Sequence, residues 1–351
     1  MGCLCRPDNL RIGDLKKMNN IYLESGYLDI AAILAYKRPF TFIVGGRGIG
    51  KTYGALKYAV ENKKKIMLMR RTQTQTDLIN KPEFSPFKSL AADLNLDIYV
   101  KSVSKYSSAI YLNDNIIGYT CALSTISNMR GFDSSDVELL IYDEFIAEPH
   151  EKLMKMEGTA FLNAYETINR NRELKGSEPV QCLLLANSFN IGNPLFMEMG
   201  IVNQAAKMQR EGREQYINNT GVALIMPNAS KISEYKSKTV LYQATKNQSF
   251  GRMALNNEFA YDSTDDITTR PLKEYKPVVS IGGITIYKHK SNRKYYITEQ
   301  ENGSKVRYNT DNVDLKRFIK KYGLAMYNAY IYNNVEFQNM LTKQLFELYI
   351  L

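Results

Sequence analysis

A chain of 351 residues, 44% hydrophobic and 23% charged, is long enough for about two domains and a real core without disulfide or metal staples. This composition excludes a disordered or collagen-like chain, and no apolar run approaches the ~18 residues that a membrane span needs. Forty-six Lys+Arg against 36 Asp+Glu give a net charge of +10, which leaves two readings open. The chain is either a merely soluble basic protein or one with a polyanionic partner, nucleic acid before acidic membrane surface.

In chain order, residues 1–8 lack the apolar stretch of a signal peptide, and Arg6 stands where a myristoylation signal wants Ser or Thr. Residues 1–36 read as an N-terminal extension, helical in pattern over 27–34. Four cysteines (Cys3, Cys5, Cys121, Cys182) suit a reducing compartment, and two histidines (His150, His289) leave little material for zinc. The expectation is a cytosolic protein without a membrane partner. From 40 the texture alternates between strand and helix: a strand at 40–44, a helix over 52–62 and a second strand at 65–69. Residues 72–86 are polar with two prolines and read as a loop; 89–96 reads as a helix. Three short runs over 97–125 suggest an inserted β-meander. The continuous apolar runs 137–142 and 180–186 have the character of parallel strands buried on both faces, with a helix over 152–172 between them. A helix over 195–215 and a strand over 221–226 follow, then a Ser-, Lys- and Asn-rich connector. From Pro277 hairpin-like strands begin (278–281, 283–287, 294–298), with helices from Val313 and from Asn334. The division is 1–36, 37–227, a linker 228–266 and a smaller α+β domain 267–351.

One motif carries chemistry. Gly45, Gly46, Arg47, Gly48, Ile49, Gly50, Lys51 and Thr52 fit the phosphate-loop pattern G-x-x-x-x-G-K-[ST] between a predicted strand and a predicted helix. Glycines let backbone N–H groups close on phosphates, and the helix N-terminus adds partial positive charge. Lys51 would reach the outer phosphates of ATP and the Thr52 hydroxyl would ligate Mg²⁺. The strand ending in Asp143 and Glu144 supplies two carboxylates at the C-terminal edge of a parallel sheet, where ligands sit. Asp143 would hold the Mg²⁺ shell with Thr52, and Glu144 would deprotonate the attacking water, which favours a hydrolysing motor ATPase over a kinase or GTPase. Asn187, ending the next strand, either senses the γ-phosphate or caps. Arg170 and Arg172 either complement their own helix end or reach a neighbouring subunit's site as a finger. Arg47 is placed to pair with Glu144, Arg70 and Arg71 to line the nucleotide's edge, and 63–65 reads as a solvated turn.

The order of the phosphate loop, the 141–146 strand end, the 169–173 arginine block, the 185–188 strand end and Asn193-Pro194 resembles the genome-packaging ATPases of small short-tailed phages of the phi29 type, more weakly through 250–259. Residues 1–36 have no counterpart in it. The resemblance implies an α/β P-loop NTPase of the additional-strand, catalytic-Glu class, a helical linker and an RNase H-like C-terminal domain. It also implies a homopentameric ring, docked in the host cytoplasm on the portal (connector) vertex of an empty capsid, absent from the mature virion. That ring would drive double-stranded DNA inward, with Arg170 acting in trans; some relatives add a structural packaging RNA. No Asp or Glu lies in 278–287, which argues for a vestigial nuclease that binds DNA without cutting it. Residues 271–351 carry 13 Lys+Arg and 7 Asp+Glu, so +6 of the +10 lies there. Lys288, Lys290, Arg293 and Lys294 around one turn, and Lys316, Arg317, Lys320 and Lys321 on one helical stretch, are the candidate phosphate contacts. Two rival classes stay open: another DNA-dependent P-loop ATPase (a helicase or partition motor), and a non-enzymatic basic scaffold that binds nucleotide.

Overall fold

The computed structural model describes residues 20–351 except 130–132, 149, 152–153, 155, 188–189, 229–230, 246–247, 249–250 and 252–263. Residues 1–19, Ser188, the start of the 152–172 helix reading and all of 250–259 except Gly251 therefore lie outside the described residues or partly so. The chain divides into two compact units: 1–154 with 160–188 and 212–258, and 155–159 with 189–211 and 259–351.

The larger unit begins with α1 (Ile30–Leu34), capped by the Asp29 carboxylate on the Ala32 N–H, and β1 (Phe40–Val44). Then come α2 (Lys51–Glu61), β2 (Ile66–Arg70), α3 (Gln73–Ile79), α4 (Phe87–Leu94), β3 (Ile98–Ser102), β4 (Ser107–Leu112), β5 (Asn115–Ala122), β6 (Leu139–Asp143), α5 (Glu157–Asn169) and β7 (Gln181–Ala186). After α6 (Pro194–Glu198) and α7 (Val202–Glu211) the unit resumes with β8 (Gln215–Ile217), β9 (Val222–Ile225), α8 (Lys231–Ser237) and α9 (Val240–Thr245). Its nine strands form one sheet in the order β3-β4-β5-β2-β6-β7-β1-β9-β8. The run from β5 to β9 is parallel throughout, with antiparallel β3, β4 and β8 at the edges. Every residue of β2 and β6 is buried, as expected of parallel strands covered on both faces. One strand, β7, stands between β1 and β6, so the loop after β1 and the carboxylates after β6 open on the same sheet edge.

Several expectations are corrected. The 72–86 loop contains α3, started by a capping box in which the Thr72 hydroxyl accepts from the Gln75 N–H and the Gln75 side chain accepts from the Thr72 N–H. The meander is no separate insertion, because β5 pairs in parallel with β2 from Ile66↔Gly118 to Arg70↔Ala122. The 195–215 helix is two helices, α6 and α7, followed by a strand, β8. The extension is no appendage from residue 20 on: Ile21, Leu28, Ile30, Ile33 and Leu34 are buried in the unit's main core.

In the smaller unit a five-stranded sheet runs β13-β10-β11-β12-β14, formed by β10 (Tyr275–Ile281), β11 (Ile284–His289), β12 (Tyr295–Thr298), β13 (Arg307–Tyr308) and β14 (Val335–Phe337). Strands β10 to β12 are antiparallel, while β13 and β14 lie parallel to β10 and β12 at the two edges. The residues read as helix from Asn334 start instead with β14, before the helix proper. Helices α10 (Asn312–Phe318), α11 (Leu324–Ile331) and α12 (Met340–Ile350) complete it, α10 and α11 being joined by one wide turn, Ile319–Gly323. The linear division 37–227, 228–266, 267–351 is not the spatial one, because 189–211 groups with this unit. Helix α7 packs on α12, where the Asn203 side-chain Oδ1 accepts from the Leu341 N–H at 3.1 Å.

Candidate nucleotide site

The loop 45–52 bends tightly between β1 and α2, with Gly48 at φ +71° and Gly50 at φ +89°, a region that glycine enters without strain. Ile49 is buried beneath it, and the Leu28 N–H donates to the Ile49 carbonyl at 3.1 Å, so the N-terminal segment braces the loop. A Cβ on Gly54 would meet Ile30 Cγ1 at 2.9 Å, which shows how closely α2 sits on α1. The loop frames a cleft of about 300 Å³ that is also lined by Tyr53, Asp143, Glu144, Ala186 and Asn187.

Lys51, Thr52, Asp143, Glu144 and Asn187 meet there. Thr52 Oγ1 donates to Asp143, 3.0 and 3.1 Å from its two carboxylate oxygens, across a sequence separation of 91. Lys51 Nζ donates to the Gly45 and Gly46 carbonyls (2.8 and 2.7 Å) and to Asn187 Oδ1 (3.1 Å). Burial pushes the Lys51 ammonium down to about 7, against the opposing pull of Asp143, and Lys236 and Arg47 push it the same way as burial. Glu144 turns out of β6 in the left-handed region (φ +58°), a conformation costing a non-glycine residue about 1–3 kcal/mol. Burial raises its carboxyl above the ordinary range and Arg70 opposes the rise.

Arg70, not Arg47, holds the two carboxylates. Its Nη2 lies 2.8 Å from Asp143 Oδ2 and its Nη1 pairs with Glu144 Oε2; the Arg70 and Asp143 side chains are nearly fully buried. Parallel pairing of β2 with β6 (Met69↔Tyr142) delivers the two strand ends side by side. Arg47 pairs instead with Glu148, and the buried Arg71 with Glu151, whose other oxygen accepts from Gln75 at 2.7 Å. Neither pairing is visible in sequence spacing.

Arg170 and Arg172 part company. Arg172 Nη2 donates to the Ser135 and Val137 carbonyls, both at 2.6 Å, tying the block to the turn that leads into β6. Arg170, at φ +48°, extends outward to an exposed Asp133 carboxylate at 3.1 Å and does not line the cleft.

In the smaller unit, Lys288, Lys290, Arg293 and Lys294 do surround the β11–β12 turn. Lys294 pairs with Glu336 at 2.9 Å, Lys290 donates to the Lys273 carbonyl at 2.5 Å, and Lys288 lies 6.0 Å from the Tyr295 ring. Lys316 and Arg317 are exposed on α10 and Lys320 and Lys321 on the turn that follows. A cavity of about 560 Å³ holds Asp265, Asp266 and Glu336, but Asp266 is paired with Lys343, and Glu336 with Arg270 and Lys294. Among the described residues no cluster of His, Cys, Asp and Glu is arranged to hold a metal ion.

The family model for the podovirus DNA encapsidation protein (Gp16) matches residues 23–330, and so begins inside the segment expected to have no counterpart. The DNA packaging protein of Bacillus phage phi29 is 27% identical over 255 residues, 71% of this chain and 70% of its own length. That of Bacillus phage B103 is 26% identical over 254 residues, 71% and 73%. Among solved structures, the Phi-28 gp11 DNA packaging motor superposes with a TM-score of 0.65 at 19% identity over 93% of this chain and 98% of that one. The bacteriophage Phi-29 genome packaging motor assembly gives 0.64 at 20% identity over 93% and 99%. The chain shares their fold.

Proposed function

We propose, since the chain belongs to the podovirus DNA encapsidation (Gp16) family, that it hydrolyses ATP to drive double-stranded viral DNA into an empty capsid. The observation that carries the chemistry is the convergence of Lys51, Thr52, Asp143, Glu144 and Asn187 on one cleft. The arrangement supports the additional-strand, catalytic-Glu class of P-loop NTPase, because β7 intervenes between β1 and β6 and a glutamate follows the strand-end aspartate.

Gly45, Gly46, Arg47, Gly48, Ile49 and Gly50 would supply the amide cradle, and Lys51 would leave its carbonyl partners for the phosphates. A hydroxyl and a carboxylate already within hydrogen-bond distance are hard oxygen donors of the kind that fit Mg²⁺, which Thr52 and Asp143 would hold. When bound, that ion neutralises charge developing on the transferred phosphoryl group. Glu144 accepts the proton of the attacking water once Arg70 releases it, and Asn187, bonded to Lys51, reports on phosphate occupancy.

Arg170 is the residue offered in trans to the neighbouring subunit of a ring, a pentamer by family likeness. Arg172 is committed to two backbone carbonyls, whereas Arg170 is turned outward beside the exposed Asp133 carboxylate. The ring docks on the portal vertex in the host cytoplasm, with a packaging RNA where the system has one. The smaller unit is read as RNase H-like from its antiparallel β10–β12 run with β13 parallel to β10; it binds DNA without cutting it, its first strand lacking any carboxylate. The test is subunit mixing. Arg170→Ala and Glu144→Gln chains, each inactive alone, should recover DNA-stimulated ATPase activity at the junctions where intact halves meet. Silence at every ratio would reject the trans assignment.

A further inference from the structure

Lys51 and Arg47 are joined at the phosphate loop by a third cation, from α8, in the segment read as a linker. We propose that Lys236 is a nucleotide-binding residue of the same chain, its ammonium leaving the Arg47 carbonyl for the terminal phosphate of ATP, so that α8 favours the triphosphate over the diphosphate. This deepens the ATPase reading and rests on it.

Lys236 Nζ donates to the carbonyl of Arg47, the third residue of the loop. It sits over the part of the loop that has no side chain: a Cβ on Gly48 would lie 2.5 Å from the same nitrogen. The amides at the start of α2 would gather the inner phosphates, which would leave the outermost oxygens beside residues 47 and 48. A neutral carbonyl is a modest partner for an ammonium group, and a phosphate oxygen a much stronger one. The opposing carboxylates are engaged elsewhere: Asp143 and Glu144 by Arg70, and Glu148 by Arg47. Among the described residues Lys236 forms no ion pair. Burial, and then Arg47, hold its ammonium below the ordinary lysine value, and Lys236 in turn helps to depress Lys51. Crowded cations of this kind are relieved by a polyanion.

The helix is held so that the reach is reproducible. Gly26, at φ +88°, lies so close to α8 that a Cβ there would meet Lys231 Cβ at 2.8 Å. Two residues on, Leu28 bonds the Ile49 carbonyl of the loop itself. Lys236 Nζ also lies 5.6 Å from the Tyr242 ring of α9, which aligns it from the other side. Residues 26–28, the loop and α8 are thus one packed group inside the larger unit.

The test measures the affinity of the full chain for fluorescent ADP and for a fluorescent non-hydrolysable ATP analogue, in magnesium, for the native chain, Lys236→Ala, Lys236→Arg and Lys51→Ala. A lost charge-assisted hydrogen bond to a phosphate predicts at least about a tenfold loss of analogue affinity in Lys236→Ala, with ADP changed by less than about threefold. Lys236→Arg should restore most of the loss, and the ligand-free melting temperature should stay close to native. Equal losses for both nucleotides would make the lysine a structural tether, and unchanged affinity would remove it from the site; either overturns the proposal. If Lys51→Ala abolishes analogue binding while Lys236→Ala does nothing, this assignment alone fails. If Lys51→Ala also leaves binding intact, the ATPase reading fails with it.

Discussion

Two side chains set the proton chemistry of the cleft. Burial brings Lys51 down to about 7 in the ligand-free chain, so at pH 8 much of it is neutral. The unfolded chain then holds the extra proton between pH 7 and the ordinary lysine value, and the Lys51 contribution to stability rises with pH across that window. A bound triphosphate reverses the preference by favouring the ammonium form. ATP binding at pH 8 should therefore take up a proton, approaching about one per site, seen by calorimetry in buffers of different ionisation enthalpy and lost in Lys51→Ala. Arg70 acts on the other side of the cleft. Arg70→Ala leaves Asp143 buried without its guanidinium, an unpairing worth about 3–5 kcal/mol in thermal or denaturant unfolding. It also removes the influence that holds the Glu144 carboxyl down, so the acid limb of the kcat/KM profile should move to higher pH. An unmoved limb would detach Arg70 from the proposed base, Glu144.

Strand–loop–helix units were readable in the sequence because a buried parallel strand is a continuous apolar run and the phosphate loop is a local pattern. Both β1 with its loop and β6 with Asp143 are of that kind. Helix α3 carries a sequence signal in its capping box, Thr72 followed three residues later by Gln75, but the polarity of the segment and Pro82 and Pro86 mask it. Arg70 and Lys236 were beyond local reading, since strand register brings one to Asp143 and tertiary packing brings the other to Arg47. The N-terminal segment teaches the same lesson with a measurable consequence. Ile33 is fully buried against the core that carries α2, and Leu28 bonds the loop. Ile33→Ala should cost about 2–5 kcal/mol of stability and, unlike a cavity made elsewhere in the unit, should also weaken nucleotide binding. Equal binding in the folded variant would reduce residues 20–36 to packing alone.

At the scale of the whole chain the net charge of +10 is unevenly spent, and its spending predicts how the chain meets a duplex. A cation already paired with a carboxylate releases few counterions when a phosphate replaces that partner, whereas a solvated one contributes its full share. Lys294 and Arg270 share Glu336, and Arg317 lies 3.5 Å from Asp314. Lys316 and Lys320 are exposed and form no ion pair among the described residues. Each phosphate contact contributes about 0.9 to the slope of log affinity against log salt, so Lys316→Ala with Lys320→Ala should flatten that slope by about 2 for double-stranded DNA. Lys294→Ala should flatten it by less than about 1, because the charge removed was already compensated. Affinity titrations of the full chain at several salt concentrations decide between them. A slope unmoved by the double substitution would take α10 and the turn after it off the DNA path, and a larger effect from Lys294 would mean that the Glu336 pair opens when DNA arrives. A motor that must pass any sequence needs contacts of the first kind, made to the backbone, uniform along the duplex and easily exchanged.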